Sequence, residues 1–260
     1  TPDPRHPGRM FFFIRAFYGP GHDESANIRR MSQPFPKDNI AKLLQKVRLS
    51  AEKSQKAQSD IVLLAVSKTR PSSDIRAAYE CGLDQFGESY LQEAVTKIDE
   101  LADLPLTWHF IGPIQSNKTR PIAENFQWVH SVAREKIARR LSEQRPPQMP
   151  PLQVCLQVNI SGEDSKSGAT LAELPALANL VDELPGLQLR GLMAIPAATD
   201  SETKQRQAFA DLRRAFEALQ QQHPHLDTLS MGMSGDWEAA VAEGSTMIRI
   251  GTAIFGPRQR

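Results

Sequence analysis

Short apolar runs and amphipathic stretches alternate along the chain from about residue 38 onward. Runs of strand length fall at 61–68, 84–89, 106–111, 127–132, 152–160, 187–195, 228–233 and 247–254. Between them, apolar positions at helical spacing predict helices over 73–81, 90–101, 133–144, 170–183 and 202–222. Ahead of the first run, Asp38 is suited to cap a helix whose apolar stripe is Ile40, Leu43, Leu44 and Val47. Strands separated by helices, with too little chain left for a second domain, predict an α/β fold: a single closed (β/α)8 TIM barrel spanning 38–260. No sequence repeat accompanies the structural one.

Sites in this fold gather at the carboxyl ends of the strands. The unusual polar residues fall at such positions: Lys68, Glu88, Ser89, His109, Ser131, Asn159, Ser234 and Arg249. Run 152–160 shows the alternation. Leu152, Val154, Leu156, Val158 and Ile160 share a face expected under helices, while Gln153, Cys155, Gln157 and Asn159 share the other, with Asn159 at the mouth. Any one of these also reads as an ordinary satisfied polar group; their recurrence at strand ends argues for a site.

The run Ile61-Val-Leu-Leu-Ala-Val-Ser-Lys68 ends on an amine and is cut off by Pro71. Val62, Leu64, Val66 and Lys68 share one face. A lysine closing an apolar row is poorly solvated, which favours its neutral, nucleophilic form and Schiff-base chemistry with an aldehyde. Taken alone, the same lysine also reads as one that leaves the strand for solvent.

Residues 1–37 carry scattered Pro and Gly and one apolar cluster, Met10-Phe-Phe-Phe-Ile14, too short for a secretory core. Arg5, Arg9 and Arg15 admit a transit peptide, and Asp3, Asp23 and Glu24 count against one; a disordered extension without chemistry is expected. A net charge of +1 gives no case for nucleic acid or an acidic membrane as partner. The 2 cysteines, Cys81 and Cys155, have no metal-ligand spacing and read as reduced thiols of a cytoplasmic protein, expected to be a monomer.

Two further stretches sharpen the chemistry. Ser230-Met-Gly-Met-Ser-Gly-Asp-Trp237 joins the seventh run to a short helix from Trp237 to Ala242, with small residues that let N–H groups converge on an oxyanion near Ser234. In the eighth run Met247, Arg249 and Gly251 point inward, and Gly251 with Thr252 offers a second side of a phosphate cup, although that dipeptide alone also reads as a turn. Arg249 cannot shed its proton and needs an inward partner. An amine, a phosphate cup and an inward guanidinium together suit pyridoxal 5′-phosphate (PLP). The guanidinium would face the pyridine nitrogen, leave it unprotonated and so make the ring a weak electron sink.

The motifs Leu64-Ala-Val-Ser-Lys-Thr69, Phe86-Gly-Glu88, Trp108-His-Phe-Ile-Gly-Pro-Ile-Gln-Ser-Asn-Lys118, Ser165-Lys-Ser-Gly168, Gly191-Leu-Met-Ala-Ile195, Ser230-Met-Gly-Met-Ser234 and Arg249-Ile-Gly-Thr-Ala-Ile-Phe-Gly256 occur in order along the chain. From about residue 38 to Gly256 it closely resembles the pyridoxal phosphate homeostasis proteins, relatives of the alanine racemase N-terminal barrel domain. The resemblance implies an aldimine at Lys68, phosphate contacts at Ser234, Gly251 and Thr252, and a ring-nitrogen contact at Arg249. It also implies intracellular PLP buffering without turnover, with apo PLP-dependent enzymes as recipients. The expected cofactor-binding set is Lys68, Ser89, Asn159, Met193, Met233, Ser234, Arg249, Gly251 and Thr252, with no catalytic residue and no metal ligand. One position departs from the family: Ser89 stands where an Asn is usual.

Three rivals remain in view. An alanine racemase-like enzyme needs an acid or base on each face of the aldimine, and Tyr18, Tyr79 and Tyr90 lie in the extension or on predicted helices. A Schiff-base aldolase acting on a phosphorylated substrate shares the amine and the cup, but such enzymes usually carry the lysine on a later strand. An interaction module would use the loop around Lys166, which reads more readily as a second amine that helps the cofactor pass in and out.

Overall fold

The computed structural model describes residues 36–54, 61–162 and 167–257. The expected extension and Lys166 therefore lie outside the described residues. Strands β1 (Val62–Val66), β2 (Gln85–Glu88), β3 (Thr107–Phe110), β4 (Trp128–Val132), β5 (Leu152–Val158), β6 (Leu187–Ala194), β7 (Thr228–Ser230) and β8 (Met247–Ile250) pair in chain order. Every pairing is parallel, and β8 closes the barrel on β1 with Leu64 opposite Arg249. Around the strands run α1 (Pro36–Lys53), α2 (Ser72–Glu80), α3 (Leu91–Glu100), α4 (Thr119–Asn125), α5 (Glu135–Gln144), α6 (Leu174–Asp182), α7 (Glu202–Gln220), α8 (Trp237–Ala242) and α9 (Thr252–Phe255).

All eight runs become strands, and the last two fall furthest short of their expected ends. The seventh ends at Ser230, and the eighth ends at Ile250, where the chain turns into α9. Ile254, the last residue of that run, and its neighbour Phe255 turn their N–H groups onto the Gly251 carbonyl at 3.0 and 2.9 Å, and both side chains are buried. Helix α4 was not foreseen, since seven residues that include Pro121 are too few to show a stripe.

Residues on the outer face of the strands, such as Leu63, Ala65, Leu152, Val154, Leu156, Ile248 and Ile250, join the helices in one apolar core. The lumen is different. His130 on β4 bonds to Ser230 on β7, and Arg249 on β8 reaches the carbonyl of Ala194 on β6, both between strands that are not neighbours. Such bonds can only cross the interior. A bulge in β6 sets part of this lining: Val154 pairs with Leu189 but Cys155 pairs with Gly191, so one residue is skipped and the alternation reverses. The reversal sends Leu192 outward into the core and leaves Met193, which is 1% exposed, on the inner face. At the amino-terminal end, Arg190 pairs with Asp227, bonds to Gln153 and lies 4.8 Å over the Trp128 ring, which floors the barrel.

Candidate functional site

Parallel strands in one closed barrel put all their carboxyl ends on one rim, and Lys68, Ser89, Asn159, Met233, Ser234, Gly251 and Thr252 follow strands there, while Met193 and Arg249 lie in the lumen. Lys68, half-buried, lies one residue past β1 in a four-residue turn closed by Arg70 N–H to the Ser67 carbonyl at 3.0 Å. Within that turn Thr69 has a φ of 65°, a left-handed conformation that a β-branched residue adopts only under constraint. The constraint is visible. Lys97 on α3 donates to the Ser67 carbonyl at 2.8 Å and to Glu88 Oε1 at 2.7 Å, Ser67 Oγ donates to the same oxygen at 2.7 Å, and Glu93 accepts from both Lys97 and the Thr69 N–H. Glu88 is fully buried, and burial pushes its carboxyl pKa up against the pull of Lys97. This corrects the expectation for Glu88: it faces α3 and braces the lysine turn from behind instead of lining the mouth.

Sequence reasoning missed Lys97 and Glu93 altogether. They are spaced i,i+4 on α3, the signature of an ordinary surface ion pair, yet Lys97 is 5% exposed. The signal available was Ala94 beside them, which marks the buried face of that helix.

Arg249 sits inside the barrel at 4% exposure, its pKa pushed down by burial to about 10, so it stays charged at neutral pH. Its Nη1 donates to the Ser230 carbonyl and hydroxyl at 2.6 and 2.7 Å, and its Nη2 donates to the Ala194 carbonyl at 2.9 Å. Those three bonds use three of the five guanidinium N–H groups, and the other two have no hydrogen bond among the described residues.

Below Arg249 a chain of hydrogen bonds descends the lumen. Ser230 Oγ lies 2.9 Å from His130 Nδ1, His130 Nε2 lies 2.9 Å from His109 Nδ1, and His109 Nε2 lies 2.8 Å from Gln85 Oε1. Its direction follows from its ends. Arginine only donates, and the Gln85 amide is oriented by its Nε2 donating to Asp84 at 3.2 Å, which leaves Oε1 as an acceptor. Burial lowers the His109 pKa to about 3 and pushes His130 well below the usual histidine range, so both rings are neutral. Each must then carry its proton on Nε2 and accept on Nδ1. His109 is thus deep in the lumen, stacked 5.4 Å from Trp128, and not at the mouth where it was expected.

The β7–α8 loop places Met233 and Ser234 exposed on the rim. Asp236 Oδ1 accepts the Met233 N–H at 2.6 Å and shapes the loop, while the Ser234 and Gly235 N–H groups make no hydrogen bond among the described residues. Gly251 and Thr252 follow β8 on the same rim. A Cβ at Gly251 would lie 3.2 Å from the Val66 carbonyl, so the glycine eases the close approach of β8 to β1. Asn159, half-buried, follows β5, with its N–H on the Ala169 carbonyl at 3.0 Å. Ser89 follows β2, its backbone packed so closely against Gly112 that a Cβ on that glycine would meet the Ser89 carbonyl at 2.3 Å.

Comparison with known proteins places the chain in a family. The family model described as the alanine racemase N-terminal domain matches residues 39–259. A pyridoxal phosphate homeostasis protein of Pseudomonas aeruginosa is 61% identical over 221 residues, covering 85% of this chain and 95% of the relative. The chain belongs to the pyridoxal phosphate homeostasis protein family. Another relative of that name, from Escherichia coli K12, is 52% identical over 223 residues, again covering 85% of this chain and 95% of the relative. The structure of PipY from Synechococcus elongatus with PLP bound is 39% identical with a TM-score of 0.74, covering 85% of this chain and 100% of that one. Alanine racemase from Corynebacterium glutamicum shares the fold at 18% identity and a TM-score of 0.63, covering 85% of this chain and 61% of its own. Among the described residues, no helix is long and apolar enough to cross a membrane.

Proposed function

We propose that this chain holds PLP at the carboxyl rim of its barrel and serves vitamin B6 homeostasis inside the cell without catalytic turnover. The observation that carries the reading is Arg249: a buried guanidinium with two N–H groups left to offer an acceptor such as a pyridine nitrogen. The residues fit the group in other respects. Lys68 supplies a primary amine on a braced turn, and Ser234 with Gly235 supplies N–H donors and a hydroxyl on the rim for a phosphate, joined by Gly251 and Thr252. Met193 in the lumen and Met233, Asn159 and Ser89 on the rim complete the expected set. The likeness to PLP-bound PipY supports the same ligand.

When bound, PLP supplies an aldehyde that condenses with a primary amine. The protein's part is to position that amine and to keep the ring electronics quiet. Arg249 offers only donors, so a ring nitrogen placed opposite it would carry no proton, and electron withdrawal into the ring would stay weak. His109 and His130 are committed to the lumen chain. Tyr79 lies on α2, and Tyr90 is 53% exposed ahead of α3. Of these only Tyr90, in the turn after β2, stands near the rim, one group where a racemase-like enzyme needs an acid or base on each face, which favours a carrier. Transfer to apo PLP-dependent enzymes is the use this carrier reading implies.

Titration of the purified chain with PLP tests the proposal. A coloured 1:1 adduct is expected, fixed by borohydride on Lys68 and lost in Lys68→Ala, with no exchange of the alanine α-proton in heavy water. A colourless preparation indifferent to PLP would overturn the binding, and rapid α-proton exchange would overturn the carrier role.

A further inference from the structure

At the end of the barrel opposite the rim, the turn between α7 and β7 reads His223-Pro-His225, beside Asp182 at the last position of α6. We propose that His223, His225 and Asp182 form a divalent-cation site of two nitrogens and one oxygen, matched to zinc. His223 Nδ1 lies 3.0 Å from Asp182 Oδ2, and His225 Nε2 lies 3.0 Å from Asp182 Oδ1. The three ligand atoms all fall within 4.8 Å of one another. Donors around a tetrahedral zinc at its usual bond lengths sit about 3.3 Å apart, so the three side chains need only small adjustments to share one ion.

Two features separate this cluster from a chance meeting of surface groups. The first is an outer partner. His223 Nε2 lies 3.0 Å from Asn179 Oδ1, and a ring that donates its proton there leaves Nδ1 to ligate an ion beside Asp182 Oδ2, 3.0 Å away. Asn179, one turn before Asp182 on α6, is thereby the kind of outer partner that orients metal-bound histidines. The second is preorganisation. His223 is 5% exposed, its N–H is held by the Leu219 carbonyl at 2.9 Å, and its carbonyl accepts from Leu226 at 3.1 Å. Pro224 fixes the backbone between the two rings, and Gln220 Nε2 clasps the Leu226 carbonyl at 2.7 Å.

Imidazole with one carboxylate selects borderline ions such as zinc, cobalt or nickel over calcium and magnesium, which prefer an all-oxygen shell. A bound ion ties the end of α6 to the turn that feeds β7, so its role is a clamp on the sealed end of the barrel.

The test uses the full chain without PLP, stripped with chelator and titrated with zinc chloride by calorimetry, with cobalt(II) absorption as the coordination probe. One zinc per chain is expected, with a higher unfolding temperature and the intense visible bands of four-coordinate cobalt. His225→Ala and Asp182→Asn, both at exposed positions, should remove the binding. Asn179→Ala should weaken it about 10- to 100-fold while leaving all three ligands in place. Absence of saturable binding would overturn the site, as would zinc uptake unchanged in His225→Ala and Asp182→Asn. PLP binding at the other end serves as an independent check that each variant is folded.

Discussion

His130 on β4 reaches across the lumen to Ser230 on β7, Nδ1 to Oγ at 2.9 Å, and the two residues are 100 positions apart in the chain. This bond places Ser230 between an imidazole that accepts and the guanidinium of Arg249 that donates. Removing the hydroxyl leaves buried partners on both sides, so Ser230→Ala should destabilise the chain by about 1–3 kcal/mol. It should also loosen Arg249 and weaken PLP binding. Urea unfolding and PLP titration measure the two effects. Nitrogen-15 shifts of the imidazoles should show the Nε2–H form for both rings in the native chain, and loss of that order for His130 in the variant.

The neutral imidazoles also set a pH dependence. Burial lowers the pKa of His109 to about 3 and moves His130 the same way, with His109 and Arg249 adding to the effect, while in the unfolded chain both titrate near 6.5. Below that pH the unfolded chain takes up protons that the folded chain refuses. Stability is therefore full above about pH 6.5 and falls as pH drops toward 3, by about 1.4 kcal/mol per pH unit for each ring. Glu88, with its raised pKa, acts in the opposite sense and offsets part of the loss. Urea unfolding at about pH 7.5 and about pH 5.5 should show a drop of roughly 2–3 kcal/mol, and replacing His130 by Asn should lower that slope.

Lys97 holds two carboxylates and the carbonyl that anchors the Lys68 turn. Lys97→Met would leave the Glu88 charge buried without its partner, a loss of about 3–5 kcal/mol. Adding Glu88→Gln should recover a large part of it, because the uncompensated charge is gone. Equilibrium unfolding of the single and double variants checks this. A single variant as stable as the native chain would mean that the ion cluster is not what holds the turn.

Gly191 carries the β6 bulge with a φ of 156°, and a Cβ there would lie 1.8 Å from the Thr228 carbonyl. No rotamer relieves a clash with backbone. Gly191→Ala should cost more than about 4 kcal/mol and reduce the soluble yield sharply, whereas Gly235→Ala, with open space around it, should fold normally. Thermal unfolding of the two proteins gives the comparison.

The order of strands was legible because each is a short apolar run bounded by a helix, and alternation alone placed Arg249 inward. Most of the rim could be read as well, since any polar residue just past a parallel strand must stand on it. What could not be read depends on partners distant in sequence. The bond from His130 to Ser230 spans strands with no local signal, and the burial of Lys97 depends on Glu88 arriving from β2 and Ser67 from the turn after β1. Alternation failed in β6, where the bulge at Gly191 reverses it and no residue pattern announces the extra position. Near Ile254 and Phe255 the apolar content was right and the conformation wrong, because a buried helical turn and a strand end use the same residues.

All eight strands run the same way, so Lys68, Ser234 and Thr252 stand on a single face of the barrel. A ligand held between them would arrive and leave on that side. A partner protein collecting the cargo would have to dock on that same face, and the opposite face is left free for other contacts.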